Sequence, residues 1–148
     1  MIDDEALIAA LSLAAGRDPV PAGVPAAARH AYTRRTPGAV TAGRVGVPAA
    51  SGIRSGGGPR LLRFAAAGLA VDVEITVTDG LVDLAGQVTP VPAPGAHVEI
   101  RTLHLGQTRA LSETGHFAAT GLPPGWFSIV CHRPSGPPIA TSWARIRP

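Results

Sequence analysis

Lysine and asparagine are missing from this 148-residue chain, so all 13 of its basic residues are arginine. Alanine, glycine, proline and valine are abundant, with 18 Gly and 15 Pro. That pairing is the imprint of a GC-rich coding sequence, and single alanines or arginines carry less functional weight for it. Cysteine occurs once, at Cys131, which excludes an intrachain disulfide and any disulfide framework. No apolar run approaches the roughly 20 residues that a membrane-crossing helix needs. The opening MIDDEALIAALSLAAG is acidic where a secretory signal would be basic. These features predict a cytoplasmic protein without a membrane span.

Acidic residues are absent over a long internal stretch. No Asp or Glu lies between Asp18 and Asp72, while Arg29, Arg34, Arg35, Arg44, Arg54, Arg60 and Arg63 fall inside that gap. From Leu61 onward the two signs balance. A basic segment beside a neutral domain suits an acidic protein, a nucleic acid or an anionic surface. It is equally the composition of a solvated arm.

Three parts follow from the patterning. Residues 1–35 read as a short helical segment. Asp3 or Asp4 caps a first helix, Leu7, Ala10, Leu11 and Ala14 recur at helical spacing, and Gly16 ends the run. A second helix starts near Pro25 and carries His30 and Tyr32 to about Arg34. Residues 36–60, rich in Gly, Pro and Ala, show no sustained period and read as a mobile linker. The Gly56-Gly57-Gly58 run lacks the Lys-Ser/Thr ending and flanking elements of a phosphate loop.

From Leu61 to Pro148 the period becomes two. In AVDVEITV, Val71, Val73, Ile75 and Val77 share one face, and Asp72, Glu74, Thr76 and Thr78 the other. Asp79-Gly80 is a favoured pair for a two-residue hairpin turn. LVDLAGQV, AHVEIRTLHL, HFAAT, WFSIVCHR and TSWARIR supply further strands, with LLRF before them. Pro123-Pro124 within Gly121–Gly125 cannot sit in a central strand and makes a corner. About eight short strands separated by turns predict a mainly β fold, an antiparallel immunoglobulin- or transthyretin-like β-sandwich.

Two stretches also resemble a known family. Leu84-Ala-Gly86-Gln-Val88, then Glu113-Thr-Gly115-His-Phe117 and Gly121-Leu-Pro-Pro-Gly125, are similar to the signatures of carboxypeptidase regulatory-like, transthyretin-like domains. Those signatures place an acid where this chain has Ser112. Tyr32-Thr-Arg-Arg-Thr36 and Thr141-Ser-Trp143 resemble elements of small actinobacterial proteins of this kind. Those proteins are often encoded near extracytoplasmic-function sigma factors or signalling proteases. The resemblance implies a regulatory accessory role through a protein partner, without catalysis or cofactor. After the Arg-Thr element the resemblance leads one to expect another helical stretch, and the glycine-rich segment stands there instead.

No nucleophile elbow and no His-Glu-x-x-His pattern is present, and Cys131 alternates with Phe127 and Ile129 as a core residue does. The carboxylates Asp72, Glu74, Asp79 and Asp83 occupy outward or turn positions. His97 and Glu99 share a face, yet no His-x-His pair marks a metal site. Trp126 and Trp143 have outward parity and are either packing or binding residues. The partner-binding candidates are therefore Leu7, Leu11, Tyr32, Arg34, Arg35, Trp126 and Trp143. Protein binding is the first reading. Carbohydrate or cell-envelope binding through the two tryptophans is the second, and nucleic-acid contact by residues 29–63 the third.

Overall fold

A computed structural model describes residues 4–17, 21–46 and 59–148. Asp3, Arg54 and the Gly56–Gly58 run, noted above, lie outside the described residues, as does the side chain of His30. The chain divides into two compact units, Met1–Arg35 and Thr36–Pro148.

The first unit holds helix α1 (Asp4–Arg17) and helix α2 (Gly23–Thr33). Asp4 and Glu5 occupy the first turn of α1, where negative charge meets the exposed amides of the positive helix end. Tyr32 and Arg35 close the second helix: the Arg35 backbone N–H donates to the Tyr32 carbonyl at 3.1 Å. The Arg35 guanidinium lies 5.4 Å from the centre of the Tyr32 ring.

The second unit is mainly β. Among its described residues are ten strands, β1 (Val40–Val45), β2 (Arg60–Ala66), β3 (Leu69–Thr78), β4 (Leu81–Thr89), β5 (His97–Thr102), β6 (Gly106–Ala110), β7 (His116–Leu122), β8 (Gly125–His132), β9 (Ile139–Thr141) and β10 (Ala144–Ile146). They join in the order β6-β5-β8-β9-β1-β2-β3-β4-β7, with β10 also on β8. Pairing is antiparallel except between β1 and β9, so the sheet is mixed. It curls until its two end strands approach, nearly closing a barrel. Arg109 Nε on β6 donates to the Ala118 carbonyl on β7 at 3.2 Å, and Ser112 N donates to the His116 carbonyl at 2.9 Å.

Strand β1 lies within the segment that the composition marks as linker. It escapes notice because Val-Thr-Ala-Gly-Arg-Val has one buried side chain, Ala42. Strand order, more than its own burial, holds it: β1 pairs with β2 on one edge and with β9 on the other. The expected last strand is broken into β9 and β10. At the break Thr141 Oγ1 accepts from the Ile129 N–H at 2.9 Å, and Ser142 N donates to the Ala42 carbonyl. The β5–β6 turn comes at Leu103–Leu105, before Gly106-Gln107 where the sequence suggests it. Asp79 and Gly80 both have positive φ, as the hairpin turn demands.

The core fills the inside of the curled sheet with Phe64, Val71, Val73, Leu84, Ile100, Ile129 and their neighbours. Its most exacting contact is between Gly86 and Phe117, which face each other in the β4–β7 register. A Cβ at position 86 would enter the Phe117 ring, so only glycine leaves room for it. Gly115, with φ of 79°, makes the turn that delivers Phe117; a Cβ there would meet the Val88 carbonyl oxygen at 2.5 Å. These are the residues that carry the family resemblance, and their spacing has a packing cause.

Two stability outcomes follow. Gly86→Ala lowers unfolding free energy by about 1–3 kcal/mol, the usual range for overpacking. In a Phe117→Leu background the same substitution costs less, and a double-mutant cycle in urea measures the difference. Separately, a fragment beginning at Thr36 melts cooperatively. One beginning at Arg60 lacks β1, exposes the edges of β2 and β9, and melts at a clearly lower temperature by circular dichroism.

Candidate interaction surface

Burial separates the candidate residues cleanly. On α1, Leu7 is 47% exposed and Leu11 61%, with Ile8 and Leu13 at 63% and 61%. Helix α1 is therefore apolar on several sides, with no single wet face. Such a helix ordinarily requires cover. Tyr32 and Arg35 are exposed and stacked on each other, and Arg34 is half-buried.

In the β unit, Trp126 and Trp143 are both largely at the surface, 43% and 39% exposed. Trp126 sits on β8 directly opposite Arg145 of β10. Ala144 pairs with Phe127, and Trp143 immediately precedes Ala144, outside β10. One indole is thus on β8 and the other immediately before β10, the strand that pairs with β8. Parity alone would expose Ser128 and Val130 as well, yet both are buried. The reason is visible in the polar contacts. Ser128 Oγ donates to the Thr141 carbonyl at 2.9 Å, and Arg101 Nη1 on β5 donates to Thr36 Oγ1 at 2.7 Å. Since β8 and β9 lie between β5 and β1, the segment entering β1 must reach over the outer side of β8 to make the second bond. The closing threonine of the Tyr32–Thr36 element therefore anchors this strap.

Arg101 also organises a cluster that spacing along the chain does not reveal. Its Nη2 donates to Glu99 Oε2 at 2.7 Å, and His132 Nε2 lies 3.4 Å from the same oxygen. His132 stacks on His97 with ring centres 4.8 Å apart, because the two are register partners on β8 and β5. The hydrogen bond from Arg101, helped by His132, holds the Glu99 carboxyl below the ordinary glutamate range in spite of partial burial. Among the described residues no three His, Cys, Asp or Glu side chains are grouped to hold a metal ion.

The outer face of β2-β3-β4-β7 is a different surface. Two cross-strand rows run over it: Arg63–Asp72–Gln87–His116 and Leu61–Glu74–Ala85–Ala118. Arg63 grips Asp72 through two bonds of 2.6 and 2.8 Å, and Asp83 accepts from the Gly121 N–H at 2.9 Å. The small Ala85 and Ala118 leave a shallow groove of about 770 Å³ beside Glu74 and Leu111. Three of the four outward or turn carboxylates thus have distinct places: one ion-paired, one bracing β7, and Glu74 exposed on the groove.

Cys131 is fully buried on β8 among core side chains, and burial pushes its thiol pKa up. It is a protonated packing group rather than a ready nucleophile. No helix among the described residues is long and apolar enough to cross a membrane. Comparison with protein-family models, with curated proteins and with solved structures finds no match to this chain.

The Glu99 cluster generates a pH outcome. A carboxyl with a lowered folded-state pKa contributes stability that is complete above the ordinary glutamate range and is lost as pH falls through the folded value. Glu99→Gln therefore melts below the parent protein at pH 7. The gap narrows and closes as pH drops through and below that range, as thermal melts across a pH series measure.

Proposed function

We propose that this protein is a non-enzymatic accessory module that binds another protein through its N-terminal helices. The β unit is the scaffold, read as a carboxypeptidase regulatory-like sandwich on the Gly86, Gly115 and Phe117 packing described above. The single observation that carries the docking role is the exposure of Leu7, Ile8, Leu11 and Leu13 on one 14-residue helix. Isolated helices of that length are marginal in water, and a partner that covers the leucines supplies the missing stability. Tyr32, Arg34 and Arg35 extend the same unit with an aromatic and two cationic side chains, suited to an acidic rim on the partner. Trp126 and Trp143 belong to the β unit and are treated separately below.

The reading places the protein in the cytoplasm, supported by its one thiol kept in the core. Its partner is a regulatory protein of the sigma-factor-linked or signalling kind that the resemblance implies. No chemistry is assigned to the carboxylates, since Asp72 and Asp83 are engaged structurally.

Leu7→Asp with Leu11→Asp tests the docking role in the full chain. Burial of two leucines is worth about 1.5–3 kcal/mol each, so partner capture from an extract of the source organism falls at least tenfold. Light scattering on the purified chain distinguishes a second copy as the occupant, because the same substitutions would then dissociate an oligomer. Undiminished capture by the variant, with the β unit still folded, would refute the helical docking site.

A further inference from the structure

We propose that the surface formed by the start of β8, by β10 and by the residues flanking β10 binds single-stranded nucleic acid, with Trp126 and Trp143 stacking on bases and Arg145 and Arg147 meeting phosphates. Three observations converge on that ligand chemistry. First, both indoles of the chain are at the surface, one on β8 and the other immediately before β10, the strand that pairs with β8. Leu103 and Leu105 in the β5–β6 turn, 40% and 48% exposed, flank the start of β8, since Thr102 pairs with Phe127. An exposed aromatic platform of this kind accepts any base, because every base has a flat face.

Second, charge is segregated within the β unit. Residues 97–148 carry Arg101, Arg109, Arg133, Arg145 and Arg147 against two acids, Glu99 and Glu113. Residues 59–96 carry only Arg60 and Arg63 against Asp72, Glu74, Asp79 and Asp83. On the strands of the tryptophan face, β5, β8, β9 and β10, the one carboxylate is Glu99, and Arg101 and His132 already occupy it. Arg145 is exposed directly across from Trp126, and Arg147 is exposed two residues further on. Neither has a hydrogen-bond or ion-pair partner among the described residues. The face is thus a cationic rim around apolar rings.

Third, the polar groups on the rings and the arginines are donors, indole N–H and guanidinium, with the His104 imidazole and the half-buried Ser142 hydroxyl beside them. Ser128, two residues beyond Trp126 on β8, is buried and spends its proton on the Thr141 carbonyl. A neutral sugar presents hydroxyls that need acceptors as well as donors, and this surface offers it no exposed carboxylate or amide side chain. A phosphate backbone needs donors alone, and bases need only a plane. That difference favours a nucleic-acid strand over the glycan that two surface tryptophans first suggest. The arginines it uses, Arg145 and Arg147, are other than those of residues 29–63.

The test is titration of the full chain with a fluorescein-labelled oligothymidylate of roughly 12 nucleotides, its affinity read by fluorescence anisotropy at several salt concentrations and, in chains that keep them, by quenching of the two tryptophans. The expected result is quenching of both tryptophans. Affinity weakens with salt at a log–log slope of about −0.7 per phosphate neutralised. Trp126→Ala with Trp143→Ala weakens binding by roughly tenfold or more, whereas the paired Trp→Phe variant, which keeps two rings, loses less. Arg145→Ala with Arg147→Ala flattens the slope by about 1.4, two phosphates' worth. Circular dichroism checks that each variant is folded; if the alanine pair is not, the phenylalanine pair and the wild-type quenching decide. Absence of quenching overturns the proposal. So does equal affinity in the tryptophan variants, which would move binding to the other arginines. Equal competition by polygalacturonate, an acidic polymer without bases, would show attraction by charge alone and overturn the stacking site.

Discussion

Strand β1 is the constraint on which the β unit rests. It pairs antiparallel with β2 and parallel with β9, and so splices the β6-β5-β8-β9 half of the sheet to the β2-β3-β4-β7 half. An internal strand must have both edges satisfied, because each unpaired backbone group left in a dry interior costs more than a formed bond gains. Six residues with a single buried side chain accomplish this through backbone pairing rather than hydrophobic content. The near closure of the sheet depends on the same splice: only when the halves are joined can β6 and β7 curl round to face each other.

That splice also sorts the surfaces. The half that contains β8 and β10 presents indoles and guanidinium groups, while the half that contains β3 and β4 presents carboxylates beside a shallow groove. The segregation arises from simple alternation. Once Val71, Val73 and Ile75 point inward, Asp72 and Glu74 must point outward, and the same rule turns Trp126 out when Phe127 and Ile129 turn in. Polar contacts then lock selected outward groups. Arg63 with Asp72 ties β2 to β3, and Arg101 with Glu99 and Thr36 ties the strap over β8.

Legibility in the sequence tracked hydrophobic period. Strands β3, β4, β7 and β8 show alternation strong enough to be read directly, and Asp79-Gly80 announces its turn. The outward parity of both tryptophans was visible for the same reason. Strand β1 was hidden, since Ala42 is its one buried side chain and its partner β9 lies far along the chain. The His97–His132 stack and the Arg101–Thr36 bond were hidden too. They come from cross-strand register, which no local pattern encodes. The single break at Ser142–Trp143 divides what reads as one strand, and only the hydrogen bonds of Thr141 and Ser142 account for it.

The pairing of Val40 with Ile139 has a kinetic meaning. Partners roughly a hundred residues apart cannot meet until nearly all of the intervening chain has been synthesised, and joining such distant segments carries a large loop-closure cost. The β2-β3-β4 meander, made of neighbours in sequence, is free to assemble early. Until β9 arrives, β1 keeps an open edge, and that interval is when the nascent protein is most exposed to strand exchange with another copy.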